Sequence, residues 1–446
     1  MRETVSERAW VQAMLDVEAA LARVESRLGV IPATAADAIA AQSKAESYDI
    51  ADLGRKAADS ANPVVPLLAA LRERLPTGAA AHVHRGATSQ DIIDTAMMLI
   101  ARAGLDLILG DLKRAADAAA SLADRHRSTL MVARTLMQQA SVTTFGLKAA
   151  GWLNSIVEVR SMLDRIRNHR LALQFGGAVG TLASLSGRGG EVATQLAAEL
   201  RLYEPALPWH TARGRVAEVG AGLAIAAGAA GKVALDVVLL AQTEVGEVRE
   251  RRTSGRGGSS TLPQKQNPVG AIEILAAVRG VNAQASLLLG TMVQEHERAA
   301  GSWQAEWPAM TEALRLTGGA AFRLADLLEG LDVDTERMGA NLGQSGGILL
   351  AEKVVTMLAE RVDGATARDL VNAAVATANA TGQRFQDVVV EDPAITVHIN
   401  REELTRAFDS ASYVGASDAL IDRALDTYRN APTVPSPKLE GANEKS

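Results

Sequence analysis

Four segments of this 446-residue sequence place ionisable and hydrogen-bonding side chains where chemistry could use them. The first, Gly255 to Pro268, holds Ser259, Ser260, Lys265 and Asn267 in a glycine-rich stretch. Glycines at 255, 257 and 258 imply a mobile or unusually shaped loop, since glycine reaches positive φ without a steric penalty. Asn267-Pro268 reads as a helix restart, with asparagine as cap and proline at the first helical position. The commonest fate of such a stretch is a linker, and Lys265 lacks the neighbours of a nucleotide phosphate loop. The second segment, His82 to Thr95, offers His84, Thr88 and Ser89. Thr88 or Ser89 can cap a helix whose dipole Asp91 and Asp94 complement. Amides at a helix start suit a substrate carboxylate. Two histidines without an acidic cluster make a weak metal site, so no metal is expected. The third segment, Arg134 to Ala140, contains Leu136 and Gln138, and the fourth, Gln294 to Trp307, contains His296 and Arg298. Trp303 and Trp307 in that last segment suit a buried junction between helices.

Helices must position these segments. Trp10, Met14, Val17, Leu21, Val24 and Leu28 recur at spacings of three and four, a helix face that Gly29 and Pro32 terminate. A shorter pattern around Val65, Leu68, Leu71 and Leu75 follows Pro63. Long patterns then run from Asp91 to His126, Thr143 to Arg170, Arg213 to Arg251, Pro268 to Arg298 and Ala309 to Glu329. A helix of ~35 residues spans ~50 Å, and several of these are alanine-rich on more than one face. One chain's bundle cannot easily cover that surface, so a homo-oligomer is expected. No fixed repeat indicates a solenoid, and strand patterns are too few for an α/β fold. The expectation is an all-α protein of three helical domains, 1–84, 85–330 and 331–446. The middle one is a bundle of about five long helices packing into an oligomeric core. The tail from Pro432 is polar, with three prolines, and reads as disordered.

Composition narrows the class. Hydrophobic residues make up 48% but aromatics only 3%, a balance that favours helix over strand. A net charge of −6, from 46 basic and 52 acidic residues, gives no sign of a nucleic-acid surface. The absence of cysteine excludes disulfides and thiolate-bound metals. No apolar run reads as a membrane span and the start lacks a signal-peptide core, so a cytoplasmic protein is expected.

The loop resembles the signature of the fumarase/aspartase lyase superfamily, Gly-Ser-Ser-x-Met-Pro-x-Lys-x-Asn-Pro, with Leu262 in place of the methionine. His84-x-x-x-Thr88-Ser89-x-Asp91 is similar to another shared region. Arg134-Thr135-Leu136-Met137-Gln138 matches Arg-Thr-His-x-Gln except that Leu136 replaces the histidine. Glu297-Arg298-Ala299, followed by Gly301-x-Trp303-Gln304-Ala305-Glu306-Trp307, looks like the 3-carboxy-cis,cis-muconate cycloisomerase branch. That likeness extends over most of the chain, including Gly177 to Thr181, Pro208 to Thr211 and Asn341 to Val354.

The resemblance implies a lactone-forming cycloisomerase of aromatic catabolism, working without a cofactor on a small polycarboxylate. It implies a homotetramer whose sites are built from three subunits. By it, Ser259 transfers the proton, while Lys265 and Asn267 bind and stabilise the reacting carboxylate. Thr88, Ser89, Ser260, Gln138 and Arg298 hold other carboxylates, and His84 is a candidate proton relay. Leu136 stands where adenylosuccinate lyases carry a proposed general acid. An amine or hydroxide leaving group needs that acid, but a carboxylate, with a pKa near ~4, departs unassisted. Adenylosuccinate lyase or another fumarate-releasing lyase is therefore the second reading. A non-catalytic structural protein on the same scaffold is the third. Gln264 and Gln266 stand where the branch often has His and Arg, and Gly214 where Asp is common, which loosens the choice of substrate.

Overall fold

The computed structural model describes residues 1–251, 257–258, 261–262 and 264–430. Helix dominates. α1 (Glu7–Arg27) is capped by Ser6, whose side chain accepts from the Ala9 amide, and it buries Met14, Val17, Leu21 and Val24. Short helices α2 (Ala33–Gln42), α3 (Ile50–Ser60), α4 (Val64–Glu73) and α5 (Thr77–Ala80) follow it, and α2 and α3 pack directly on it. The central helices are α6 (Ser89–Arg125) and α7 (Phe145–His169), then, after α8 (Gly189–Leu200), α9 (Gly214–Leu240), α10 (Val269–Gly290) and α11 (Ser302–Glu329). At 37 residues α6 is ~55 Å long. Between α6 and α7 a hairpin pairs β1 (Leu130–Thr135) with β2 (Gln138–Thr144), and β3 (Val248–Glu250) pairs antiparallel with β4 (Leu331–Val333). Beyond β4 come α12 (Thr335–Gln344), α13 (Ala351–Ala359), α14 (Gly364–Thr381), α15 (Phe385–Glu391), α16 (Pro393–Thr396), α17 (Arg401–Ala407) and α18 (Ser417–Arg429).

One apolar core runs from Val5 through the central helices to Met338 and returns at Ile421 and Leu425 of α18. A second, from Val354 to Leu404, is built by α13 to α17. The hairpin joins a third, small core through Val132, Val142, Leu349 and Leu350.

Several boundaries differ from expectation. The third long helix stops at Leu240 rather than Arg251, because the chain turns through Gly246 at φ +64° and enters β3. The fourth stops at Gly290 rather than Arg298. The fifth starts earlier, at Ser302, and carries Pro308 in its second turn. Asn267 does not cap α10: its side chain reaches the Gly257 carbonyl at 3.4 Å, while Glu250 accepts from the Gly270 and Ala271 amides. By length and composition alone α9 and α10 could each cross a bilayer, a test that buried core helices also pass; half of the most apolar stretch of α9 is buried, and 22% of that of α10. Ile225, Leu235, Ile272, Leu287 and Leu289 on these two helices are exposed on the single chain. The tail from Pro432 lies outside the described residues.

Candidate active site

Two groups of polar side chains form at opposite ends of the bundle. The first gathers where α6 begins. A capping box closes that helix start: the Thr88 side chain accepts from the Asp91 amide, and the Thr88 amide donates to Asp91 Oδ2 at 3.0 Å. Asp91, fully buried, also accepts from the Gly176 and Gly177 amides at 3.0 and 2.8 Å, and His210 Nε2 lies 2.8 Å from its Oδ1. Sequence reasoning placed Asp91 in the helix dipole and in a shared substrate-binding string; in the fold it also fastens the 174–177 and 208–211 segments to the start of α6.

Arg298 then closes the group. Its Nη1 donates to Thr88 Oγ1 at 3.1 Å, its Nε to Gln90 Oε1 at 3.2 Å and its Nη2 to the Ala178 carbonyl at 3.0 Å. Ser89 is the half-buried first residue of α6 beside it. His84, at φ +65°, sets its Nδ1 2.6 Å from Glu18 Oε1 on α1.

Beneath this group lies a buried ion cluster. Arg213 bonds Asp94 at 2.6 and 2.9 Å and Glu306 at 3.1 and 2.5 Å, and all three side chains are inaccessible. Trp303 Nε1 donates to Asp94 at 3.0 Å, and the Arg213 guanidinium lies 4.7 Å from the centre of the Trp209 ring. Burial opposes the Arg213 charge, but Asp94 and Glu306 outweigh it and hold its pKa above the usual arginine range. Burial pushes Glu306 up, while Arg213 draws it down. Such a cluster is costly to break, because removing one partner strands a buried charge. The expected burial of Trp303 is met; that the fourth segment rests on an ion cluster was not read from sequence, although Gln90 and Asp94 share a helix face at i, i+4.

The second group lies where α10 begins. Lys265 and Asn267 line a cleft of about 870 Å³ with Gln264, Gln266, Arg249, Glu250 and Arg337. Ser259 and Ser260 lie outside the described residues. The hairpin belongs to this end. Arg134 bonds Glu247 bidentately at 3.0 and 2.8 Å, and Glu247 directly precedes the strand whose Glu250 caps α10. Gln138 is exposed at the first position of β2. Between the strands, Leu136 and Met137 form a two-residue turn with φ of +49° and +67°. They are 96% and 69% exposed.

The structure thus brings Thr88, Ser89 and Arg298 together at one end and places Lys265, Asn267 and Gln138 at the other. α10 separates the two ends: at 22 residues it is ~33 Å long.

The comparisons with known proteins agree with this architecture. A family model described as "Lyase" matches residues 1–285, and one described as "Adenylosuccinate lyase C-terminus" matches 347–424. The 3-carboxy-cis,cis-muconate cycloisomerase of Bradyrhizobium diazoefficiens is 46% identical, over 96% of this chain and 95% of that protein. The nitrosuccinate lyase of Streptomyces davaonensis is 43% identical, over 94% of this chain and 91% of the relative. The crystal structure of 3-carboxy-cis,cis-muconate lactonizing enzyme from Pseudomonas putida superposes with a TM-score of 0.91 at 40% identity, covering 97% of each chain. By family model, sequence and fold, this chain belongs to the lyase family, in the branch that holds the 3-carboxy-cis,cis-muconate cycloisomerases.

Proposed function

We propose that this chain closes 3-carboxy-cis,cis-muconate to a carboxymuconolactone, in the protocatechuate and β-ketoadipate route of aromatic catabolism. The observation that carries the reading is the hairpin tip. It offers Leu136 and Met137, neither of which can protonate a leaving group, on a turn strongly exposed in the single chain. A site completed by that tip favours reactions whose leaving group, or internal nucleophile, is already an anion.

In the forward reaction one substrate carboxylate adds its oxygen to a C=C carbon. A proton goes to the carbon beside another carboxylate, so atoms and charge balance within one molecule and the acid. Ser259 delivers that proton. Lys265 and Asn267 stabilise the aci-carboxylate that forms as the C–O bond is made, where fixed donors contribute most. Thr88, Ser89, Ser260, Gln138 and Arg298 hold the remaining carboxylates, and His84 serves as a proton relay. Because ~33 Å of helix separates Arg298 from Lys265 in one chain, each site takes its two ends from different copies. The exposed apolar residues of α9 and α10 supply the contact surface for a cytoplasmic homotetramer. The division 1–84, 85–330 and 331–446 remains our working description of its domains.

A second reading has one observation behind it. Gln264 and Gln266 in the cleft are neutral, which suits a substrate with fewer carboxylates, and the relative from Streptomyces is named for nitrosuccinate. Nitrite, like a carboxylate, leaves as an anion and needs no acid from the tip. The test is to follow diene absorbance with 3-carboxy-cis,cis-muconate, with nitrosuccinate, adenylosuccinate and argininosuccinate in parallel. Loss of the diene signal is the expected result; fumarate release from a succinate derivative without it overturns the cycloisomerase reading. Ser259→Ala should lower kcat by at least ~100-fold with the oligomer intact, the scale of a lost general acid.

A further inference from the structure

We infer that Gln90 is the positioning residue that aims Arg298 at a substrate carboxylate. This rests on the reading that Arg298 binds such a group. A guanidinium has five N–H donors in one plane. Three of those of Arg298 are taken, by Gln90 Oε1, Thr88 Oγ1 and the Ala178 carbonyl. One N–H remains on each of Nη1 and Nη2, and among the described residues no carboxylate pairs with Arg298. Those two donors are free to meet a substrate carboxylate.

The side chain of Gln90 is fixed in turn. It is fully buried, and its Nε2 lies 3.1 Å from Asp94 Oδ2 and 2.8 Å from the His210 carbonyl. Both partners can only accept, so the amide nitrogen must face them and Oε1 must face Arg298. Asp94 is itself held by two bonds from Arg213 and one from Trp303. A chain of directional bonds therefore runs from the buried ion cluster through Gln90 to the Nε edge of Arg298. Pinning that edge fixes the plane of the guanidinium, and the Thr88 and Ala178 bonds fix its rotation within the plane. A free arginine side chain samples many rotamers; here that freedom is removed before substrate arrives.

Gln90→Met keeps the length of the side chain and removes its acceptor. With 3-carboxy-cis,cis-muconate we expect KM to rise ~10-fold while kcat changes little, the signature of lost ground-state alignment at a charged hydrogen bond. Arg298→Lys should raise KM more, by ~100-fold, as the fork is lost. In the Arg298→Lys background, Gln90→Met should add nothing, because the residue it aims is gone. If Arg298→Lys leaves KM unchanged, the assignment of Arg298 fails and the inference with it. If Arg298→Lys raises KM but Gln90→Met does not, only the inference fails. Should Gln90→Met not fold, a crystal structure of the unaltered protein with propane-1,2,3-tricarboxylate decides. A carboxylate on Nη1 and Nη2 with the Gln90 bond kept supports the inference, and Arg298 swung away from Gln90 overturns it.

Discussion

Glu25 sits on α1, fully buried, with neither carboxyl oxygen hydrogen-bonded. Burial pushes its pKa from the ordinary 4.5 up to about 8; Arg85 opposes the rise and Glu18 adds to it. The folded protein therefore holds this proton more tightly than the unfolded chain does. The stability it confers is complete below pH 4.5 and is lost as pH climbs through about 8. Glu25→Met fills similar volume without a titrating group. We expect its Tm to match the parent near pH 5 and to exceed it by ~3 °C or more near pH 9, in scanning calorimetry at both pH values. Equal Tm differences at the two would remove Glu25 as the source. The same scale shows what sequence could yield at the site. Thr88, Ser89 and Arg298 stand in short strings whose composition drew notice, and the fold places them side by side. Gln90 and Arg213 did not stand out, and Asp94 was read only as complementing the helix dipole, because their meaning lies in partners up to 209 positions away, as for Asp94 and Trp303.

At the level of elements, the hairpin carries strain. A two-residue turn with both φ positive favours Asn or Gly, whereas here it holds Leu136 and Met137. Met137→Gly should relieve that cost and stabilise the protein by ~1 kcal/mol, read as a higher denaturation midpoint. It also trims the apolar tip, so turnover should fall while stability rises. A variant that gains neither stability nor loses activity would show the turn to be incidental. Helix faces were legible locally: the Trp10 stripe foretold α1, and the Thr88 cap foretold the start of α6. Helix ends were harder. The apolar residues 245 and 248 continue a helical spacing past Leu240, but β3 pairs with residues 81 to 85 positions onward. α10 is likewise capped by Glu250, 20 positions before the amide it serves. Contacts of that range leave no periodic trace.

For the whole molecule, the separation of the two polar ends yields a direct test of shared sites. Lys265→Ala and Arg298→Ala each damage one end. If every site draws its ends from different copies, either variant alone is nearly inactive, but mixed oligomers contain some sites with neither substitution. Unfolding the two variants together and refolding them should restore activity, to at most about a quarter of the parent's, with mixed assembly checked by native mass spectrometry. Mixed oligomers that stay inactive would return the complete site to a single chain.

α10 then acquires a second meaning. Its interior residues pack against α9 and α11, yet its length sets the position of Asn267 relative to Arg298. Adding one residue within it would turn one end against the other by ~100° and lengthen the span by ~1.5 Å. If each chain lends its two ends to two different sites, the misfit would be felt in every site at once. On that arrangement the number of residues in this helix would matter to catalysis whatever their identities, and a one-residue insertion at its exposed face should abolish turnover while leaving the fold intact.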